Sequence, residues 1–219
     1  MQLGNHDAAD RLLVERAQLR ADMGALNHPY RVYDYVAQAL NRSMAGEFSL
    51  ALRILQDAPR LPALASAGDL SDRLKTAIDV ARARVLTDSG DREAAWKLVQ
   101  DIDPAAPVWD GMRSRYATFA ELVCSRGKAL EGKKVFEALL ESAAKYNDPS
   151  SPELGWLRAH TGLCAFESRD VFSARLAANA AREIFRAQPR VSSYYKLPLA
   201  KLDSLLAVNS GSVAPAPKN

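Results

Sequence analysis

One spacing constrains this chain more than any other feature: a turn residue with a small residue seven positions before it and another five after. It is clearest at Gly90, in the stretch Ala83-Arg84-Val85-Leu86-Thr87-Asp88-Ser89-Gly90-Asp91-Arg92-Glu93-Ala94-Ala95. Apolar residues at intervals of three and four lead up to this glycine (Leu74, Ile78, Ala81, Val85) and away from it (Ala95, Leu98, Val99, Ile102), which is the periodicity of two helices. The frame recurs at Gly46 with Ala39 and Ala51, at Gly127 with Ala120 and Gly132, and at Arg169 with Gly162 and Ala174. The four turns are 44, 37 and 42 residues apart, and all eight flanking slots hold alanine or glycine. Small residues at a crossing let two helix backbones approach closely. A glycine at the turn lets the first helix end in a left-handed conformation. The fourth turn has arginine there and departs from the pattern.

Taken in order, the remaining segments read as helices and breaks. Residues 7–26 place Leu12, Ala17 or Leu19, Met23 and Leu26 on one helical face, capped by Asn5 or Asp7. Asn27-His28-Pro29 ends this helix, because a residue before proline avoids the helical region. The first hairpin then carries Tyr33, Val36, Ala37 and Leu40 before its turn and Leu50, Ala51, Ile54 and Leu55 after it. A proline-punctuated loop, 59–68, is expected to lie along the surface, with Asp69 or Ser71 capping the next helix. The third hairpin shows Met112, Tyr116, Phe119, Ala120 and Val123, then Val135, Phe136, Leu139 and Leu140. The fourth shows Trp156, Ala159, Leu163 and Phe166 before Ser168-Arg169-Asp170. A last helix runs from Tyr194 to Val208. No segment alternates apolar and polar residues as a strand would.

These readings predict an all-α chain. An N-terminal helix (1–29) packs on helical hairpins at about 30–58, 69–103, 108–147 and 152–187 within 30–188. A capping helix (189–208) and a disordered tail (209–219) follow.

Composition narrows the function classes. With 48% apolar, 25% charged and 7% aromatic residues in 219, the chain fits an ordinary globular protein that can bury a substantial core. The net charge of +3 gives no overall footprint for nucleic acid or acidic lipid. No run approaches the apolar length of a membrane span, so no membrane insertion is expected. The first residues lack the basic-then-apolar order of a signal peptide, and a cytoplasmic location is expected. Cys124 and Cys164 are too few for a disulfide scaffold and are not spaced as a metal pair. They read as buried small apolar residues, compatible with a reducing compartment. Abundant alanine, and arginine in excess of lysine, point to a GC-rich bacterial source.

At the small-residue slots and Gly-Asp turn the chain resembles the tetratricopeptide repeat family, in an irregular bacterial form. Ser89-Gly90-Asp91-Arg92-Glu93-Ala94-Ala95 is the best match and Ala45-Gly46-Glu47-Phe48-Ser49-Leu50-Ala51 the next; the likeness covers about residues 30–187. The resemblance implies a right-handed α-solenoid whose concave surface is lined by the first helices of the hairpins. Partner contacts would then fall on Leu40, Met44, Arg84, Thr87, Asp88, Glu121, Ser125, Leu163, Phe166 and Glu167. The family's clamp for a C-terminal carboxylate needs several basic and amide groups there, and only Arg84 supplies one. A groove for a helix or an extended peptide of a partner protein suits these residues better.

Chemistry-bearing motifs are lacking. There is no phosphate loop, nucleophile elbow or His-x-x-x-His pair, so no catalytic residue, metal ligand or cofactor is assigned. His6, His28 and His160 share no ligand spacing. Arg113, Arg115, Arg126, Lys128, Lys133 and Lys134 are interleaved with Glu121, Glu131 and Glu137 and read as a solvated face rather than a phosphate site. Trp96, Trp109 and Trp156 read as packing between repeats. The expected function is a non-catalytic adaptor or scaffold, for example in secretion, pilus assembly or regulation. A sensor domain tied to transcription or signalling, and a structural subunit or homo-oligomer, are the alternatives.

Overall fold

The computed structural model describes residues 4–25, 28–65, 67–103 and 113–211. The chain divides into two compact units, Met1–Asp103 and Pro104–Asn219. Every described element is helical, and among the described residues none is long and apolar enough to cross a membrane.

The first unit holds α1 (His6–Asp22), α2 (Arg31–Met44), α3 (Phe48–Asp57), α4 (Pro62–Ala65), α5 (Ser71–Ser89) and α6 (Arg92–Val99). Its core is made where α2, α3 and α5 meet: Val32, Ala39, Ala51, Leu55, Leu74, Ile78, Ala81 and Val85 are all buried. The segment expected to be a surface loop is instead built of short helical turns, Ala58–Arg60, α4 and Gly68–Leu70. It adds Ala58, Leu64 and Ala67 to that core. Apolar alanine and leucine on either side of Pro59 and Pro62 thus drive the connector inward, where its backbone polar groups pair locally. Neither Asp69 nor Ser71 caps α5: the cap position is Leu70, with no side-chain hydrogen bond.

The second unit holds α7 (Arg113–Ser125), α8 (Ala129–Ala144), α9 (Pro152–Glu167), α10 (Val171–Ala187) and α11 (Ser193–Gly211). One core cluster joins α9, α10 and α11 through Ala159, Ala165, Ala174, Ala178, Ala181, Phe185, Val191, Leu199, Leu202 and Leu206. Phe136 and Leu139 of α8 are fully buried beside α7 and α9. The last helix runs three residues further than its leucine spacing suggested. Met112, Trp109 and residues 212–219 of the expected tail lie outside the described residues.

The repeated frame is realised in the backbone of all four turns. Gly46, Gly90 and Gly127 have φ of 84°, 93° and 81°, and Arg169 has φ 65°, the one non-glycine with positive φ among the described residues. The arginine that broke the sequence pattern therefore keeps the conformation that glycine gives elsewhere, at a cost of about 1 kcal/mol. Three of these turns share one hydrogen bond that closes a helix end onto itself. It runs from the N–H of Glu47 to the Arg42 carbonyl (2.9 Å), from Lys128 to Val123 (3.2 Å) and from Asp170 to Ala165 (2.9 Å). At Gly90 the turn is closed by its own N–H to the Thr87 carbonyl, 3.2 Å. Asp91 and Asp170, each directly after a turn, cap the returning helix by accepting from the N–H of Ala94 (3.1 Å) and Ser173 (3.0 Å).

The flanking slots are where helices touch. Ala39, Ala51, Ala83, Ala95, Ala120 and Ala174 are 0% exposed, and Gly132 and Gly162 are buried. A β-carbon on Gly132 would stand 2.7 Å from the Ala120 carbonyl oxygen, its partner slot in the same hairpin. One on Gly162 would stand 3.3 Å from the carbonyl oxygen of Ala174, again its partner.

The N-terminal helix docks against expectation. Asn5 caps it, accepting from the Ala8 N–H at 3.0 Å. The face bearing Leu12, Leu19 and Met23 is exposed, however, and Leu13 is the buried residue. What meets α2 is a polar row, His6, Asp10, Arg16 and Arg20, spaced for one side of a helix. Arg16 and Arg20 pair with the buried Asp34 at 2.6 and 3.3 Å. Asn41, fully buried, donates to the His6 carbonyl at 2.8 Å and to Asp10, and its amide oxygen lies 2.9 Å from His6 Nδ1. Arg42 pairs with Asp10 and, at 3.1 Å, with Glu47. Apolar spacing alone misleads here because the α2 surface that α1 covers is itself charged.

Candidate interaction surface

In the first unit the first helices of the hairpins, α2 and α5, lie against each other and bring Leu40, Met44, Arg84, Thr87 and Asp88 to one seam. Leu40 packs on the core and is half-buried, as is Met44. Arg84 and Thr87 are buried, which corrects the expectation that they face a partner. The Arg84 guanidinium binds Asp88 through Nε at 2.9 Å and again through its terminal nitrogen, while Ser43 donates its hydroxyl to the other Asp88 oxygen at 3.1 Å. Thr87 donates to the Ala83 carbonyl at 2.8 Å. These groups form a buried polar tie between α2 and α5, so that Leu40 and Met44 are the candidates left with open surface here. The i, i+4 spacing of Arg84 and Asp88 was the available signal that the two would pair.

In the second unit α7 and α9 supply Glu121, Ser125, Leu163, Phe166 and Glu167. Ser125 and Glu167 are exposed, and Glu121 is half-buried. Leu163 and Phe166 are half-buried against the α9–α11 cluster. The Ser125 hydroxyl donates to the Leu122 carbonyl at 2.9 Å. The result is a surface with two apolar side chains partly open and the exposed Glu167 carboxylate next to Phe166 in the chain, which suits an apolar segment carrying a basic residue.

The cysteines are not free apolar fillers. Cys124 of α7 and Cys164 of α9 form a disulfide, Cα to Cα 5.5 Å, with both residues buried. Two cysteines looked too few for a scaffold, but one bond between adjacent helices needs no more. The signal was their separation of 40 residues, close to the 42 between Gly127 and Arg169, which sets them at nearly the same level on successive first helices. The inference of a reducing compartment loses its ground.

Other singled-out residues are accounted for by packing and pairing. His160 is buried with its ring 4.1 Å from Trp156 and stacked 5.2 Å from Phe136. Lys133 pairs with Asp170 (3.3 Å) and Glu137 (3.8 Å), and Lys128 with Glu131 (3.6 Å). Hydrogen bonds from Ser173, helped by the Lys133 ammonium, hold the Asp170 carboxyl below the usual carboxylate range. The side chains of Arg113 and Arg115 lie outside the described residues. Among the described residues no three histidine, cysteine or acidic groups gather as a metal site.

No protein-family model matches the chain, and no curated protein matches it either.

Proposed function

We propose that this chain is a non-catalytic, tetratricopeptide-like helical-repeat module that holds a peptide or helix of a partner protein. The observation that carries the reading is the equivalence of the four turns: left-handed residues at Gly46, Gly90, Gly127 and Arg169, each flanked by buried small slots. Within each unit, hairpins built on one frame suit stacking, and their first helices offer a binding surface. The binding residues are Leu40 and Met44 on the first unit and, on a surface of its own, Glu121, Leu163, Phe166 and Glu167 on the second. The partner segment is apolar with a basic residue, because the exposed Glu167 follows the partly open Phe166.

The test is affinity capture from native cells with the wild-type chain and with Leu163→Glu/Phe166→Glu, followed by mass spectrometry. The reading expects one protein captured stoichiometrically by the wild type and lost with the variant. Equal capture by both would overturn the assigned face.

The outward face of α1 favours a second reading, a subunit of a larger assembly. Leu12, Leu19 and Met23 are 65%, 57% and 74% exposed, while the polar row of the same helix is spent inside. Light-scattering mass of the purified chain separates the two readings: a monomer supports the open groove, and a discrete oligomer broken by Leu19→Glu supports assembly.

A further inference from the structure

We infer that the Cys124–Cys164 bond is a redox-dependent staple across the α7–α9 seam, and that the second unit reaches its stable form only in an oxidising compartment. Three independent features lead there. Both sulfur-bearing residues are buried, 6% and 2% exposed, so the bond is shielded from thiols in water. A reactive, exchanging disulfide would need an accessible sulfur. Next, room for the bond is built into the repeat frame: the small slot five after the Gly127 turn is glycine, and a β-carbon there would overlap Cys124 Sγ. Finally, the bond reinforces a short seam, since α7 meets α9 along a far shorter one than it meets α8.

The first unit makes the same tie by other means. Ser43, three residues before its turn, reaches Asp88 of the next first helix. Cys124, also three before its turn, reaches Cys164 of the next first helix. A hydrogen bond to a buried ion pair in one unit and a covalent bond in the other thus hold successive first helices in register.

Formation is a two-electron oxidation. The Cys124 and Cys164 thiols release two protons and two electrons as the S–S bond forms, and a disulfide oxidant such as glutathione disulfide takes them up to give two thiols. The reverse reaction, with a dithiol reductant, restores both cysteines and frees α7 from α9. Glu121 and Ser125 ride on one side of this seam and Leu163 and Phe166 on the other. Reduction therefore also loosens the partner surface, a consequence that rests on the proposed function, whereas the effect on stability does not.

The full-length chain is unfolded in denaturant and refolded with glutathione disulfide or with dithiothreitol, so that the buried bond can form or open; a denatured portion of each is labelled with a maleimide, and melting is followed by circular dichroism in parallel. The oxidised chain is expected to label at neither cysteine and the reduced chain at both. The reduced chain should melt about 10 °C lower, the shift typical of losing one disulfide from a domain of this size. Cys124→Ala and Cys164→Ala, singly, should melt near the reduced wild type and no longer respond to redox state; alanine avoids burying an unpaired hydroxyl. Two labelled cysteines after oxidation, or oxidised and reduced melting points within about 2 °C of each other, would overturn the staple. A redox-dependent melt with no partner captured by either form would leave the staple standing and remove the binding role alone.

Discussion

The sulfur of Cys124 occupies the space into which a β-carbon on Gly132 would project, and the Ala120 carbonyl oxygen closes the other side at 2.7 Å from that point. Neither obstacle can swing aside, one being tied to Cys164 and the other being helix backbone. Gly132→Ala should therefore destabilise the chain by about 1–3 kcal/mol. Gly162→Ala should cost less, because its nearest obstacle is a terminal methyl of the buried Leu202 rather than backbone, and the Ala174 carbonyl oxygen stands back at 3.3 Å. Urea unfolding of the two variants in the oxidised state checks the order.

Arg169 carries the conformation that glycine carries at the three other turns. Arg169→Gly should stabilise by up to about 1 kcal/mol, since the left-handed backbone no longer opposes a β-carbon. Gly127→Ala should destabilise by about 1 kcal/mol or more for the converse reason. Thermal melts read both signs; a destabilised Arg169→Gly would mean that the arginine side chain contributes more than its backbone costs.

Asp88 receives Arg84 and Ser43 together, with both charged side chains 11% exposed. Removing the carboxylate leaves a buried guanidinium without that partner, so Asp88→Ala should cost about 2–3 kcal/mol. Ser43→Ala removes one hydrogen bond and should cost about 1 kcal/mol. A double-mutant cycle between these positions in urea gives the coupling, expected to be clearly non-zero because the groups share one network.

Asp170 caps α10 and pairs with Lys133, and these contacts lower its folded pKa. With the folded value below the unfolded one, its contribution is fully present above the ordinary carboxylate range and disappears as pH falls through the folded value. Asp170→Asn keeps a capping group but no charge, so its melting point should fall below wild type at neutral pH and converge on it in acid. A constant gap from neutral to strongly acidic pH would contradict the assignment.

Much of this was legible from local chemistry. The turn frame placed all eight small slots, every one of them buried, and Asn5, Asp91 and Asp170 cap helices for the reason short polar side chains do so. What escaped depended on pairing between distant segments. Leu12, Leu19 and Met23 have helical spacing, yet only the charge on Asp34 and the amide of Asn41 decide which side of α1 turns inward. Arg84 resembled a surface cation until Asp88 and Ser43 were seen to enclose it. Cys124 and Cys164 looked independent because a bond across one repeat period leaves no local motif.

The most direct test of a binding face on the first helices is site-specific photo-crosslinking in living cells, with a photoreactive phenylalanine placed singly at Met44, Glu121 or Leu163, or at Leu12 and Phe172 as exposed positions off that face. The account expects one and the same partner protein to be crosslinked from Met44, Glu121 and Leu163 and not from the other two. Crosslinks arising only from Leu12 or Phe172 would contradict it.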